Sequence, residues 1–221
     1  MKITNECNME LMARYENNYF DLAIVDPPYG INYVGINNTT KIKNKNKWKT
    51  YKHNKSKNNW DNKRPSLKYF KELKRVSKHQ IIFGGNYFAN LLEVKKGWIY
   101  WDKKITNSNC KSFSDGELAW TSFNCILRKF TYDWVGFGYL NNPQKQKKIH
   151  PTEKPIALYE WLLINYAKQG DKILDTHLGS GSIAIACHNL GYHLTACELD
   201  TDYYNAAMKR LKQHQAQLRL I

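Results

Sequence analysis

Asp26-Pro27-Pro28-Tyr29 places a carboxylate, two proline carbonyls and a flat ring within four residues. Consecutive prolines fix φ, prevent a helix from starting and remove two N–H donors, so this backbone is rigid and rich in acceptors. Acceptors beside an aromatic plane suit one task, gripping the exocyclic amino group of a planar base that has been turned out of its stack. The competing reading is an ordinary Asp-Pro turn between two elements.

A second constellation lies near the other end of the chain, where Asp175 precedes Gly179-Ser180-Gly181-Ser182 and Glu198 follows. Glycines between a strand end and a helix start let a ligand approach the backbone, and the helix N-terminus offers unpaired N–H groups to an anionic group. Glu198, at the tip of the next strand, can accept hydrogen bonds from ribose hydroxyls. The spacing indicates a nucleoside-cofactor pocket. Gly179-x-Gly181-x-x-Ala184 also fits the dinucleotide fingerprint, so a nicotinamide-dependent enzyme competes on this piece alone.

The elements that must position these groups follow from apolar periodicity. Asp21 to Val25 is a short buried strand delivering Asp26, and Lys172 to Asp175, a helix closed by Gly191 and Leu194 to Glu198 form a βαβ unit. Between them, Pro65 to Ser77 is an amphipathic helix, Gln80 to Phe83 a strand halted by Gly84-Gly85, and Asn86 to Leu92 a short helix. Trp98 to Trp101 and Glu117 to Trp120 are strands whose aromatics suit a core. Ile126 to Lys148 carries no clear period, and helices are expected over Pro155 to Lys168 and from Asp202 to about Leu218. With no repeat and no linker, residues 1–221 form one expected domain.

Lys and Arg total 34 against 19 Asp and Glu, a formal charge of +15 that points to a polyanionic partner, nucleic acid or an anionic membrane surface. The excess concentrates in residues 32–64, where Trp48, Tyr51 and Trp60 are spaced among lysines. Stacking faces amid phosphate-neutralising charge favour a mobile DNA-binding loop over a merely solvated one. Five cysteines are odd in number and lack C-x-x-C spacing, so neither a disulfide framework nor a metal site is suggested, and the compartment is expected to be reducing and cytoplasmic. No apolar run approaches the roughly 20 residues a membrane helix needs.

Taken together, Asp26-Pro27-Pro28-Tyr29, then His150-Pro151-Thr152-Glu153-Lys154-Pro155, then the 175–182 segment resemble the DNA amino-methyltransferases in their beta arrangement, in which the catalytic half precedes the cofactor half. Phe83-Gly84-Gly85-Asn86 and Trp101-Asp102-Lys103 extend the similarity over nearly the whole chain. The resemblance implies a circularly permuted, Rossmann-like α/β fold with a mostly parallel sheet, one antiparallel strand at its edge and helices on both faces. It implies S-adenosyl-L-methionine as cofactor and double-stranded DNA as substrate. It also implies adenine N6 as the target, since cytosine-N4 enzymes more often carry serine where Asp26 stands. Asp26 and the Pro27 carbonyl would accept the amine N–H groups, Pro28 would stiffen the turn, and Tyr29 would stack on the flipped base. Asp26, Asp175, Gly179, Ser180, Gly181, Ser182 and Glu198 would line the cofactor site, and Thr152 and Lys154 would hold its methionine end.

Three departures accompany the resemblance. Thr176-His177 stands where the family has Pro-Phe, which puts an imidazole in place of an aromatic wall, and His177 is equally a packed histidine. Glu6 stands for the family's aspartate that reaches the adenine of the cofactor. The target-recognition region is short, about residues 125–149. A cytosine-N4 enzyme, an inactive nucleic-acid-binding relative, a homodimer and a companion restriction nuclease all stay open at this point.

Overall fold

The structure is a computed structural model and describes residues 1–31, 43–44, 47–48, 61–103, 114–134 and 149–217. Most of the basic 32–64 segment, and residues 135–148 of the expected target-recognition region, therefore lie outside the described residues.

Phe20–Val25 shows why a sheet with both faces covered organises this chain. Every residue of this strand except Asp21 is buried, as a near-continuous apolar run requires when layers lie on either side. In chain order the elements are β1 (Lys2–Asn5), α1 (Asn8–Ala13), β2 (Phe20–Val25), β3 (Lys43–Asn44), β4 (Lys47–Trp48), α2 (Leu67–Val76), β5 (Ser77–Phe83), a 3₁₀ turn (Gly85–Phe88), β6 (Trp98–Asp102), β7 (Gly116–Thr121), β8 (Arg128–Thr131), α3 (Ile156–Tyr166), β9 (Lys172–Asp175), α4 (Ser182–Leu190), β10 (His193–Glu198) and α5 (Thr201–Gln215).

The described residues fall into two compact units, one of residues 1–27 with 66–221 and one of residues 28–65. The smaller unit contains the β3–β4 antiparallel pair and a hydrogen bond from the Gly30 N–H to Asp61 Oδ1 at 2.8 Å.

The larger unit is built on an eight-stranded sheet in the order β1-β10-β9-β2-β5-β7-β6-β8. β1, β10, β9, β2 and β5 are parallel, β7 is antiparallel to both of its neighbours, and β8 is parallel to β6. One strand thus opposes the rest, as expected, but it lies inside the sheet rather than at its edge. β9 and β10, from the end of the chain, sit beside β2 and β1 from its beginning, which is the permuted arrangement. Alternate residues separate the two faces. Leu22 and Ile24, Ile81 and Phe83, Ile173 and Leu194 join Leu158, Leu162, Ile183 and Leu211 of α3, α4 and α5 in one core. Buried Ala23, Val25, Ile82 and Leu174 lie outside that cluster, as do Leu11, Met12, Phe70 and Leu73 of α1 and α2, which pack on each other. Truncating a core side chain such as Leu73, which is fully buried, to alanine would cost about 2–5 kcal/mol.

Several boundaries differ from the sequence expectation. Ser66 occupies the N-cap position of α2, β5 begins immediately after the helix at Ser77, and a single 3₁₀ turn replaces the helix expected over Asn86 to Leu92. Arg128–Thr131, which has no clear period, forms β8 because the edge of β6 supplies its hydrogen-bond partners. No helix among the described residues is long and apolar enough to cross a membrane.

Candidate active site

Parallel pairing determines what meets at the C-terminal edge of the sheet. β9 ends at Asp175, β10 at Glu198 and β1 at Asn5, with Asn5 in register with Glu198 and Asp175 with Ala196. β2, paired to β9 through Leu22 and Ala23, ends one residue before Asp26. Because β7 runs the other way, its first residues, not its last, arrive at this edge beside the end of β5, and they carry Glu117. Ligands in open α/β sheets bind outside the carboxyl ends of the strands for this geometric reason.

Around Asp26 a buried charge cluster forms. Lys154, with a side chain only 3% exposed, makes a hydrogen-bonded ion pair with Asp26 and sits 3.3 Å from Glu117 Oε2. Glu117 Oε1 accepts from Lys103 at 2.6 Å. Lys154 also lies 4.6 Å from the centre of the Phe83 ring, and Lys103 4.9 Å from that of Trp101. Burial opposes charge on both members, but the attraction outweighs it: the two lysines hold the Glu117 carboxyl down at about 2, and the two carboxylates raise the Lys154 ammonium. Lys154 is therefore a buried partner of Asp26 and not a surface charge. Pro27 closes the larger unit on this side, and Pro28 and Tyr29 belong to the smaller one.

The glycine turn forms the second half of the site. Gly179 and Gly181 adopt φ of +53° and +76°, conformations that side chains rarely take, and a Cβ at Gly181 would sit 3.1 Å from that of Ala207. Glu198 accepts the Gly179 N–H at 2.8 Å and the Asp200 N–H at 3.0 Å, and burial raises its carboxyl despite both bonds. Asp175 is 2% exposed; burial pushes its carboxyl up to about 8, against a backbone hydrogen bond from the His177 N–H at 3.0 Å. Ser180 and Ser182 are buried, with their hydroxyls 3.1 Å apart. Arg210 of α5 donates to the Ser180 carbonyl and the Ser182 hydroxyl, both at 3.0 Å, and pairs with Glu153 at 3.0 Å. The 150–155 segment is thereby fastened to the glycine turn, with the His150 ring 3.8 Å from where a Gly179 Cβ would lie and the Thr152 hydroxyl 3.0 Å from His150 Nδ1.

His177 is a packed, neutral histidine. Burial pulls it down to about 3, the Asn8 amide meets Nε2 at 3.1 Å, and Nδ1 meets the Thr176 hydroxyl at 2.9 Å, which in turn contacts the Tyr69 hydroxyl at 2.7 Å. Glu6 is held by Arg14 through two contacts of 2.6 Å and by the Thr4 hydroxyl, which lower its carboxyl to about 2. Of the sequence candidates, Asp26 and Lys154 pair directly, as do Gly179 and Glu198, whereas Glu6 pairs with Arg14. Sequence reasoning assigns no role to Glu117, Lys103 or Arg210, although Lys103 lies in the Trp101-Asp102-Lys103 segment of the resemblance. The signal present for Glu117 and Lys103 was charge at a strand end next to aromatics; Arg210 offered none.

Residues 104–209 match the model of the N6/N4 DNA methylase family. Along 240 aligned residues, covering 92% of this chain and 71% of the relative, the chain is 25% identical to the type II methyltransferase M.HpaI of Haemophilus parainfluenzae. Its fold is similar to that of M1.HpyAVI, crystallised as a SAM complex, with a TM-score of 0.59 and 22% identity over 95% of this chain and 98% of that one. It is also similar in fold to the cytosine-N4-specific PvuII DNA methyltransferase, with a TM-score of 0.57 and 12% identity over 99% of this chain and 87% of the other. The motifs in the family's order, the permuted sheet and these matches make the chain similar to the DNA amino-methyltransferases.

Proposed function

We propose that this protein transfers the methyl group of S-adenosyl-L-methionine to the N6 amino group of adenine in duplex DNA. The observation that carries the reading is the arrival of Asp26, Asp175 and Glu198 at one edge of the sheet from the adjacent strands β2, β9 and β10.

The residues fit the cofactor. The Gly179–Gly181 turn leaves room for close approach, Glu198 retains acceptor capacity for ribose hydroxyls, and Asp175 is a buried carboxyl that burial pushes up to about 8. When bound, S-adenosylmethionine supplies a methyl group activated by positively charged sulfur. Thr152 and Lys154 would hold its methionine end, and Glu6 would serve its adenine.

Asp26 acts on the substrate amine. The lone pair of an adenine amine is delocalised into the ring, and accepting its two N–H bonds at Asp26 and the Pro27 carbonyl draws nitrogen toward a tetrahedral, nucleophilic geometry. The Asp26 carboxylate also stabilises the positive charge that develops on nitrogen. Holding nitrogen in line with the methyl group supplies much of the remaining rate. Tyr29 stacks on the extruded base, which offsets part of the few kcal/mol that unstacking costs.

Incubation of the protein with labelled S-adenosylmethionine and duplex DNA, followed by nucleoside mass spectrometry, tests the reading. N6-methyladenine is expected, and Asp26→Ala should abolish transfer while the cofactor still binds. Near-normal turnover in that variant would remove Asp26 from the chemistry. The second reading, cytosine-N4 methylation, is favoured by the fold likeness to the PvuII enzyme, and N4-methylcytosine as product would establish it in place of the first.

A further inference from the structure

The two contacts of the buried Lys154 ammonium are unequal. Toward Asp26 it is hydrogen-bonded, whereas Glu117 Oε2, 3.3 Å away, is buried and makes no hydrogen bond. The other Glu117 oxygen is engaged by Lys103. A buried carboxylate oxygen with a cation within reach and no hydrogen bond is an under-satisfied acceptor, so it competes for that ammonium. Asp26, for its part, loses negative potential to Lys154 at the point where positive charge is to be stabilised.

We propose that Glu117 is a positioning residue for methyl transfer: it draws the Lys154 ammonium from Asp26 as the target amine arrives, so that Asp26 accepts the amine N–H groups in place of that ammonium. This rests on the reading of Asp26 as the amine acceptor. The displacement is short, since Nζ already stands between the two carboxylates. Among the described residues Lys154 pairs with both carboxylates and Lys103 with Glu117, so the exchange moves charge between groups already in contact. Phe83 lies beside Lys154, and Trp101 is the register partner of Glu117, so apolar walls keep the exchange local.

The test compares Glu117→Gln, Lys154→Met and the double variant. Glu117→Gln removes the competing charge, leaves Lys154 on Asp26, and should lower kcat by roughly 10- to 100-fold with cofactor Kd almost unchanged. Glu117→Asp, which keeps the charge, should recover most of that loss. If Glu117 acts through Lys154, the double variant is no slower than Lys154→Met alone. Independently of turnover, the Asp26 carboxyl followed by carbon NMR should titrate at lower pH in Glu117→Gln than in wild type; among the described residues, Glu117, Lys103, Lys154 and Asp175 are charged groups near it. Multiplied losses in the double variant, or an unmoved Asp26 titration, would overturn the proposal. A wild-type protein that methylates no DNA would remove the functional reading, and the Asp26 titration would still decide the coupling.

Discussion

Arg210 donates to the Ser182 hydroxyl at 3.0 Å, so the last helix of the chain fastens the first residue of α4 at the mouth of the glycine turn. The same guanidinium holds the Ser180 carbonyl and Glu153, and thereby joins the turn to the His150–Pro155 segment.

Arg210→Met should therefore loosen both halves of the cofactor site without touching the amine chemistry. Hydrogen bonds to a charged group contribute about 1.5–3 kcal/mol. A lower melting temperature and weaker S-adenosylmethionine binding are expected in calorimetry, with kcat at saturating cofactor changed little. An unchanged cofactor affinity would limit Arg210 to a role in stability.

Glu198→Ala should weaken cofactor binding by roughly 1–3 kcal/mol, the cost of unpaired polar groups. Two causes combine in this variant: loss of the ribose acceptor, and release of the Gly179 and Asp200 N–H groups that Glu198 now holds. Glu198→Gln retains acceptor capacity and should lose less. Equal affinities for wild type and both variants would remove Glu198 from the site.

Asp175 makes stability depend on pH in a stated direction. Its folded carboxyl, pushed up to about 8 from an ordinary 3.8, binds a proton more tightly than the unfolded one does. The corresponding stability is fully present below the ordinary value and is lost as pH rises toward 8. Asp175→Asn keeps an acceptor for the His177 N–H and should flatten the melting-temperature profile between those limits relative to wild type. Because the cofactor brings positive charge, its binding near pH 7 should release a proton from Asp175, measurable by calorimetry in buffers of different ionisation enthalpy. Parallel profiles for wild type and variant would contradict the assignment.

Replacing Lys43, Lys45, Lys47 and Lys49 with alanine should weaken DNA binding and leave cofactor affinity nearly untouched. Each lysine that neutralises a phosphate contributes a slope of roughly 0.9 in log affinity against log salt for duplex DNA. The variant should show a flatter salt dependence in fluorescence-anisotropy titrations. An unaltered slope would move the phosphate contacts elsewhere on the chain.

What the sequence by itself determined was local. The apolar run ending at Val25 forms β2 and delivers Asp26, and the glycines between Asp175 and Ser182 form the turn that opens α4, because burial on both faces and positive φ are imposed by neighbouring residues. The order of motifs along the chain likewise implied the permuted sheet. Only the tertiary structure decided which charges meet. Lys154 and Asp26 are 128 residues apart, and Glu117 joins them because β7 runs against β5, so that its first residues and not its last reach the site. That orientation, its place inside the sheet, the recruitment of Arg128–Thr131 as β8 and the reach of Arg210 to Ser182 all depend on strand order and helix docking. These are global outcomes of burying the whole core, and side-chain periodicity within any one segment carries no record of them.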